Sequence, residues 1–423
     1  MTNAKKINEV FDRVLREIQP SKYELDKIGL KTKNFKNKVE KKIKEFKIKA
    51  DVFIGGSFAK KTIIKKDVYD VDIFIRFDKK YENISELTKK ILQDFKKVEA
   101  KGSRNYFIID MGDFFIEVVP VVKTKNPSKA ENVTDLSYSH VSYMRKKLKG
   151  GKILNDIKLA KAFCHANKCY GAESYVNGFS GYALELLVYH YGGFLKFLKA
   201  FEKIKEGEVI DIEKHFKSKN EVFMDLNEAK LKSPVILIDP TYKRRNALAA
   251  LSHETLERFK KICREFLKKP SEKFFEARKN DFEKAGKEAG KKNLEFALIE
   301  INTKRQEGDI AGTKLLKFFN HLKKEIEKYF LVRNSGFEYN GEHEAKGFFS
   351  CKGKGETIIK GPPAKQEKNV KAFKKSHNYT FAKSGRIYAR EKVKFNLNRF
   401  LHEWKKKNSR KVEEMGVSEL RVS

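Results

Sequence analysis

Asp70 and Asp72 stand two residues apart in a run, 68–77, where Val71, Ile73 and Ile75 alternate with them. On a strand, alternate residues share a face, so both carboxylates point one way and the three aliphatic residues enter a core. Two ionised carboxylates that close repel unless a cation or solvent lies between them. Magnesium suits such a pair because it takes carboxylate oxygens together with substrate phosphates. Taken alone, an Asp-x-Asp is more often a solvated strand edge. A third carboxylate, Glu117, sits in Phe114-Phe-Ile-Glu-Val-Val-Pro120. Flanked by apolar residues on an interior strand, it needs a partner or a metal. Upstream, Gly55-Gly56-Ser57 breaks a short strand before a helix start. Such glycines let backbone N–H groups approach phosphate, and the Ser57 hydroxyl adds a donor. Taken together, Ser57, the Asp70–Asp72 pair and Glu117 form a two-metal phosphoryl-transfer layout. Both ions would sit on Asp70 and Asp72, with Glu117 on the one that activates an attacking hydroxyl.

The elements that must position these groups follow from periodicity. Residues 10–18 and 34–46 read as helices, 51–54 as a strand and 58–62 as a helix start. Residues 85–95 read as a helix with Ser85 as its cap. Residues 105–110 and 113–122 read as a hairpin turning at Met111-Gly112. The first 125 or so residues are therefore expected to wrap helices around a mixed sheet. Residues 153–169, 181–205 and 247–266 carry long helical patterns, so the middle is expected to be mostly helix. Beyond 293 strands and helices mix again: strands at 294–301, 330–339, 345–351, 357–360 and 385–393, and helices at 313–329, 369–375 and 397–406.

Charge narrows the partner. The chain has 423 residues, with 93 Lys+Arg against 57 Asp+Glu and a net charge of +36. Such an excess favours anionic ligands, nucleic acid first. The length suggests about two to four domains, and a hydrophobic fraction of 40% can build cores. No run approaches the roughly eighteen apolar residues of a membrane-spanning helix, and no secretory signal is read. Four cysteines do not make a disulfide framework, so a cytoplasmic protein with reduced thiols is expected. Cys164, His165 and Cys169 make a poor zinc site, lacking a second ligand pair of matching spacing.

The chain resembles the nucleotidyltransferase superfamily of DNA polymerase beta and, within it, the archaeal class I CCA-adding enzymes, the tRNA nucleotidyltransferases. The resemblance rests on Gly56-Ser57-Phe-Ala-Lys60-Lys-Thr62, Asp70-Val-Asp72-Ile-Phe and Glu117-Val-Val-Pro120. It continues through Lys158-Leu-Ala-Lys161-Ala-Phe, Tyr170-Gly-Ala-Glu173 and Gly178-Phe-Ser-Gly-Tyr-Ala-Leu-Glu-Leu-Leu187. Ile238-Asp-Pro240, Arg245-Asn246 and Met415-Gly-Val417 extend it towards the end. It implies an α+β fold with a polymerase-beta-like head of mixed sheet and helices (1–145), a helical neck (146–270) and an α+β body and tail that binds tRNA (271–423).

The activity implied is addition and repair of the 3′-terminal CCA of tRNA from CTP and ATP, with two Mg2+ ions and release of pyrophosphate. Asp70, Asp72 and Glu117 would be the catalytic metal ligands. Ser57, Lys60, Lys161 and Tyr170 would hold the triphosphate, His140 would contact the nucleotide, and Arg245 would help recognise C or A. The partner implied is tRNA, held at its acceptor stem and T-loop end. Family members are often homodimers, although no residue pattern here marks a dimer face. Three departures stand out: Glu117 where the family has Asp, Asp70 where it often has Glu, and Lys60 where it usually has Arg. Two other readings stay open: an RNA-binding protein with a decayed catalytic site, and a poly(A) polymerase-like or A-adding enzyme.

Overall fold

In the computed structural model, residues 3–102, 104–124, 126–276, 281–304 and 308–423 are described. Two compact units emerge: Met1–Ala172 with Val176–Ala277, and Glu173–Tyr175 with Arg278–Ser423.

The first unit begins with α1 (Asn3–Ile18) and α2 (Lys22–Glu45). Ser21 caps α2 in a capping box with Glu24. Then come β1 (Ala50–Ile54), α3 (Gly56–Ala59), β2 (Tyr69–Phe77) and α4 (Ile84–Ile91). The last three strands of this region are β3 (Val98–Ala100), β4 (Tyr106–Asp110) and β5 (Phe114–Val122). They form one mixed sheet, ordered β1-β2-β5-β4-β3. Only β2 and β5 pair in parallel, with Asp72 opposite Glu117. Ile116 and Val118 are fully buried beside Val71, Ile73 and Ile75, in a core shared with Ile28, Phe35 and Val39 of α2. Strand alternation thus sends the aliphatic set inward and the three carboxylates to the other face.

The helical region follows: α5 (Ser137–Lys147), α6 (Gly151–Ala166), α7 (Gly181–Tyr191) and α8 (Phe194–Lys203). Its core is a cluster of aromatics, including Phe163, Phe179, Phe194, Phe197, Phe259 and Phe266. Although α1 opens the chain, its Ile7, Val10, Phe11 and Val14 pack into this helical core, not into the sheet's.

Four expectations are corrected here. The helix expected over 181–205 is broken at Gly192 and Gly193, whose φ values of +70° and +131° leave the right-handed helical region. The helix expected from 247 begins at His253 and runs to Lys268 (α11). Asn246 explains the delay, because its side-chain Oδ1 accepts N–H bonds from Leu237 (3.0 Å) and Leu248 (2.9 Å) and fixes a turn. The middle also holds a sheet of β6 (Glu208–Asp211), β7 (Val235–Asp239) and β8 (Tyr242–Asn246), with short helices α9 (Lys219–Asp225) and α10 (Glu228–Leu231) between. Likewise α4 starts at Ile84, after Asn83 and ahead of Ser85, which is a residue of the helix and not its cap.

The second unit holds α12 (Phe282–Lys291), β9 (Glu295–Asn302), α13 (Gly308–Ile326), β10 (Phe330–Tyr339) and β11 (Glu344–Gly353). Next are β12 (Glu356–Pro363), α14 (Glu367–Ser376), β13 (Thr380–Lys383) and β14 (Arg386–Lys392). It ends with α15 (Leu397–Lys407), α16 (Ser409–Glu414) and β15 (Glu419–Val422). One sheet is ordered β10-β11-β9-β15, the other β12-β14-β13. The larger sheet packs Ile299, Ile301 and Phe349 against Phe318 of α13 and Leu401 of α15. Among the described residues no helix is long and apolar enough to cross a membrane.

Candidate active site

The three carboxylates crowd one another. Asp72 is half-buried, and desolvation, then the charge of Asp70, raises its pKa. Glu117 is pushed up to about 7, first by burial and then by Asp72 and Asp70. Lys66 donates to Asp70 Oδ1 at 2.6 Å. Gly56 has a φ of +60°, and a Cβ there would lie 1.6 Å from Asp72 Oδ2. The glycine of the Gly-Gly-Ser turn is therefore required twice: for the left-handed backbone and for the carboxylate that fills its side-chain space. No three His, Cys, Asp or Glu groups among the described residues converge closely enough to cage an ion by themselves. The donor set suits a hard cation that takes one or two carboxylates and completes its shell with water and phosphate oxygens.

Beside them lies a cavity of about 190 Å³, lined by Ser57, Lys60, Asp70, Asp72, Lys161 and Tyr170 among others. Six candidate residues, four from the stretch running from α3 through β2 and two from α6 and its following turn, thus meet at one place. Behind them is a carboxylate the sequence reading missed. Glu185 of α7 is fully buried and accepts from Lys60 Nζ (2.6 Å), Lys161 Nζ (2.9 Å) and the Thr62 hydroxyl (3.0 Å). Lys161 also donates to Thr62 Oγ1 at 2.7 Å. Burial opposes ionisation of Glu185, but Lys161, then Lys60, outweigh it and hold its pKa down to about 2. Two lysines thus share one carboxylate, and at Lys161 burial pulls the pKa down against the opposing pull of Glu185. The Tyr170 ring stacks on His165 with centroids 3.8 Å apart. A Cβ on Gly181 would lie 2.8 Å from the Tyr170 hydroxyl, so that glycine gives the phenol room.

His140 and Arg245 meet on a second buried carboxylate, Asp239 at the end of β7. His140 Nε2 lies 2.8 Å from Asp239 Oδ2, and Arg245 Nη1 donates to the same oxygen at 2.8 Å. The Tyr182 hydroxyl donates to Oδ1 at 3.0 Å, and Thr241 adds its N–H and hydroxyl, each at 2.8 Å. Burial acts against the Asp239 charge, but the His140 hydrogen bond and the facing charges hold its pKa well below the usual carboxylate range. Burial pulls His140 the other way, below the ordinary imidazole value, despite Asp239. The imidazole stacks on Tyr182 at 4.0 Å. The charge of Lys60 bears on both Asp72 and His140, which links the two clusters electrostatically.

The sequence did carry one sign of the missed hubs. Glu185 interrupts Ala183-Leu-Glu-Leu-Leu-Val188, and Asp239 ends Val235-Ile-Leu-Ile. A carboxylate inside an apolar run demands a partner, but Lys60 and His140 lie far off in the chain. Cys164, Cys169, Cys263 and Cys351 are all buried and free.

Residues 155–276 match the family described as tRNA nucleotidyltransferase, second domain. Residues 5–141 match the Second Messenger Oligonucleotide or Dinucleotide Synthetase domain. The CCA-adding enzyme of Nanoarchaeum equitans is 36% identical over 352 residues, covering 80% of this chain and 83% of that protein. The CCA-adding enzyme of Methanocaldococcus jannaschii is 28% identical over 400 residues, covering 90% and 87%. Among solved structures, a cytoplasmic RNA terminal U-transferase superposes with a TM-score of 0.50 at 13% identity, over 65% of this chain and 99% of that one. An RNA terminal uridylyl transferase gives 0.51 at 12% identity, over 66% and 100%. These two share the fold.

Proposed function

The chain belongs to the CCA-adding enzyme family, and from that premise we propose that it adds and repairs the 3′-terminal CCA of tRNA, using CTP and ATP. The observation that carries this reading is the 36% identity to a CCA-adding enzyme over 83% of that relative's length. The carboxylates on β2 and β5 support it.

Asp70, Asp72 and Glu117 would hold divalent cations, two Mg2+ in this reading; when bound, these supply charge neutralisation at the triphosphate and lower the pKa of the attacking hydroxyl. The chain's own groups do the rest. Lys60 and Lys161, pinned by Glu185, hold the β- and γ-phosphates as point charges. Ser57 and Tyr170 add hydroxyl donors. The RNA 3′ hydroxyl attacks the α-phosphorus in line, a phosphodiester forms, the α–β anhydride breaks and pyrophosphate leaves. Arg245, anchored by Asp239, presents a planar donor fork to the edge of the incoming base. His140 shares that anchor. In this reading residues 1–145 are the head, 146–270 the neck and 271–423 the body and tail. The last part grips the acceptor stem and T-loop end. The proposal extends to a cytoplasmic location and a homodimer.

The test is incorporation of labelled CTP and ATP, with magnesium, into three tRNAs ending before CCA, after C and after CC. Two C and then one A, stopping there, supports the reading. ATP-only addition means an A-adding enzyme, untemplated A tails mean a polymerase, and bound tRNA without incorporation means a decayed site.

A further inference from the structure

A second and larger cavity, of about 840 Å³, lies within the first unit on the other side of α3. Ser57 and Lys60 line the carboxylate cavity, whereas Phe58 and Lys61 line this one. The same division runs along α6, where Lys158 faces this cavity and Lys161 the other. Its size is that of a small-ligand site.

Three aromatic residues, Phe53, Phe58 and Tyr138, contribute to its wall. Tyr138 meets Phe53 edge-on at 5.1 Å, and the Arg76 guanidinium lies 3.7 Å over the Tyr138 ring, which holds that ring in place. Lys61, Arg145 and Lys158 add three cations beside Lys36, which pairs with Glu40, and no Asp or Glu lines the cavity. By contrast, the carboxylate cavity is lined by Asp70, Asp72 and Glu185. Lys158 is half-buried, and burial alone acts on its pKa, downward, with no carboxylate to offset it. A half-buried cation without a counter-charge is stabilised by an anionic ligand. Aromatic rings beside unpaired cations make a platform for a base and its phosphate.

We propose that this cavity is a second nucleotide-recognition site, separate from the carboxylate site. The base packs among Phe53, Phe58 and Tyr138, and its phosphate meets Lys61, Arg145 and Lys158. The nucleotide is either free in solution or a residue turned out of single-stranded RNA; the recognising chemistry is the same. Because α3 walls both cavities, a ligand here bears on the backbone that carries Ser57 and Lys60.

The test uses the full chain, its Arg145→Glu/Lys158→Glu variant, and a charge-matched control, Lys5→Glu/Lys6→Glu on α1. Equilibrium dialysis counts a non-hydrolysable ATP analogue bound without RNA, and fluorescence anisotropy measures a single-stranded oligoadenylate. Two analogues per chain, falling to one in the Arg145/Lys158 variant alone, assigns the site to free nucleotide. One analogue per chain throughout, with oligoadenylate affinity falling about tenfold further than in the control, assigns it to an RNA base. Tyr138→Ala, which keeps every charge, must reproduce whichever loss is seen. One analogue per chain with RNA affinity equal to the control, or a loss that Tyr138→Ala does not share, overturns the proposal.

Discussion

Glu185 and Asp239 are buried carboxylates that keep their charge; Asp72 and Glu117 are half-buried carboxylates that resist it. The first two are surrounded by donors. Glu185 has two ammoniums and a hydroxyl, and Asp239 has an imidazole, a guanidinium and three further donors. The second two face each other across parallel strands, with Asp70 beside them. The difference separates two tasks. Saturated carboxylates fix where Lys60, Lys161, His140 and Arg245 stand before any ligand arrives. Unsaturated carboxylates keep a demand for positive charge that only a cation or a proton meets.

The largest expected effect breaks the saturated side. Glu185→Gln leaves Lys60 and Lys161 without their counter-charge and costs on the order of 3–5 kcal/mol of folding stability. Chemical denaturation at pH 7 reads it, and an unchanged midpoint would mean that the lysines are held by something else. Glu185 also ties stability to acid. Its pKa is about 2 in the fold against an ordinary 4.5. The stability it contributes is therefore present above pH 4.5 and lost as the pH falls towards 2.

Glu117→Gln has the opposite sign. Folded Glu117 keeps its proton to about pH 7, against an ordinary 4.5. Metal-free stability accordingly falls as the pH rises between those values. The variant is expected to be more stable than the parent at pH 8 by on the order of 1–3 kcal/mol, the gap closing near pH 4. Melting in a chelating buffer across that range checks it; a gap independent of pH contradicts the assignment. Magnesium sharpens the same contrast: millimolar Mg2+ raises the parent's melting temperature by a few degrees or less and leaves Asp72→Asn unmoved. Equal shifts in both would place the ion elsewhere.

Arg245→Ala tests the second saturated hub through selection, not stability. Discrimination of C and A against U and G is expected to fall about tenfold or more, a loss of roughly 1–3 kcal/mol at a base edge. Filter-bound tRNA affinity should stay within about twofold. A loss of selection and of tRNA affinity in equal proportion would make Arg245 a backbone contact.

The unsaturated side was the legible one. Asp70, Asp72 and Glu117 alternate with aliphatic residues, so strand period alone puts them on one face, and the β2–β5 register then sets Asp72 opposite Glu117. Gly56 was legible as a turn, but not as the residue whose missing Cβ admits Asp72. The saturated hubs were harder to read: 125 residues separate Lys60 from Glu185 and 99 separate His140 from Asp239, and nothing in the local run marks the nearby Thr241 and Arg245 as donors to Asp239. The break at Gly192-Gly193 was hidden by helical periodicity that continues on both sides. The β6–β8 sheet was hidden because Val235-Ile-Leu-Ile238 is apolar on both faces and shows no period at all.

Asp72→Ala gives the most direct test of the claim that these carboxylates serve chemistry and not assembly. Labelled CTP incorporation into a tRNA lacking CCA is measured beside tRNA binding, for the parent chain and the variant. The expected result is two C residues added by the parent, a loss of about a thousandfold or more in the variant, and tRNA affinity within twofold of the parent. Incorporation that survives in Asp72→Ala, or falls only in proportion to tRNA affinity, would contradict the account.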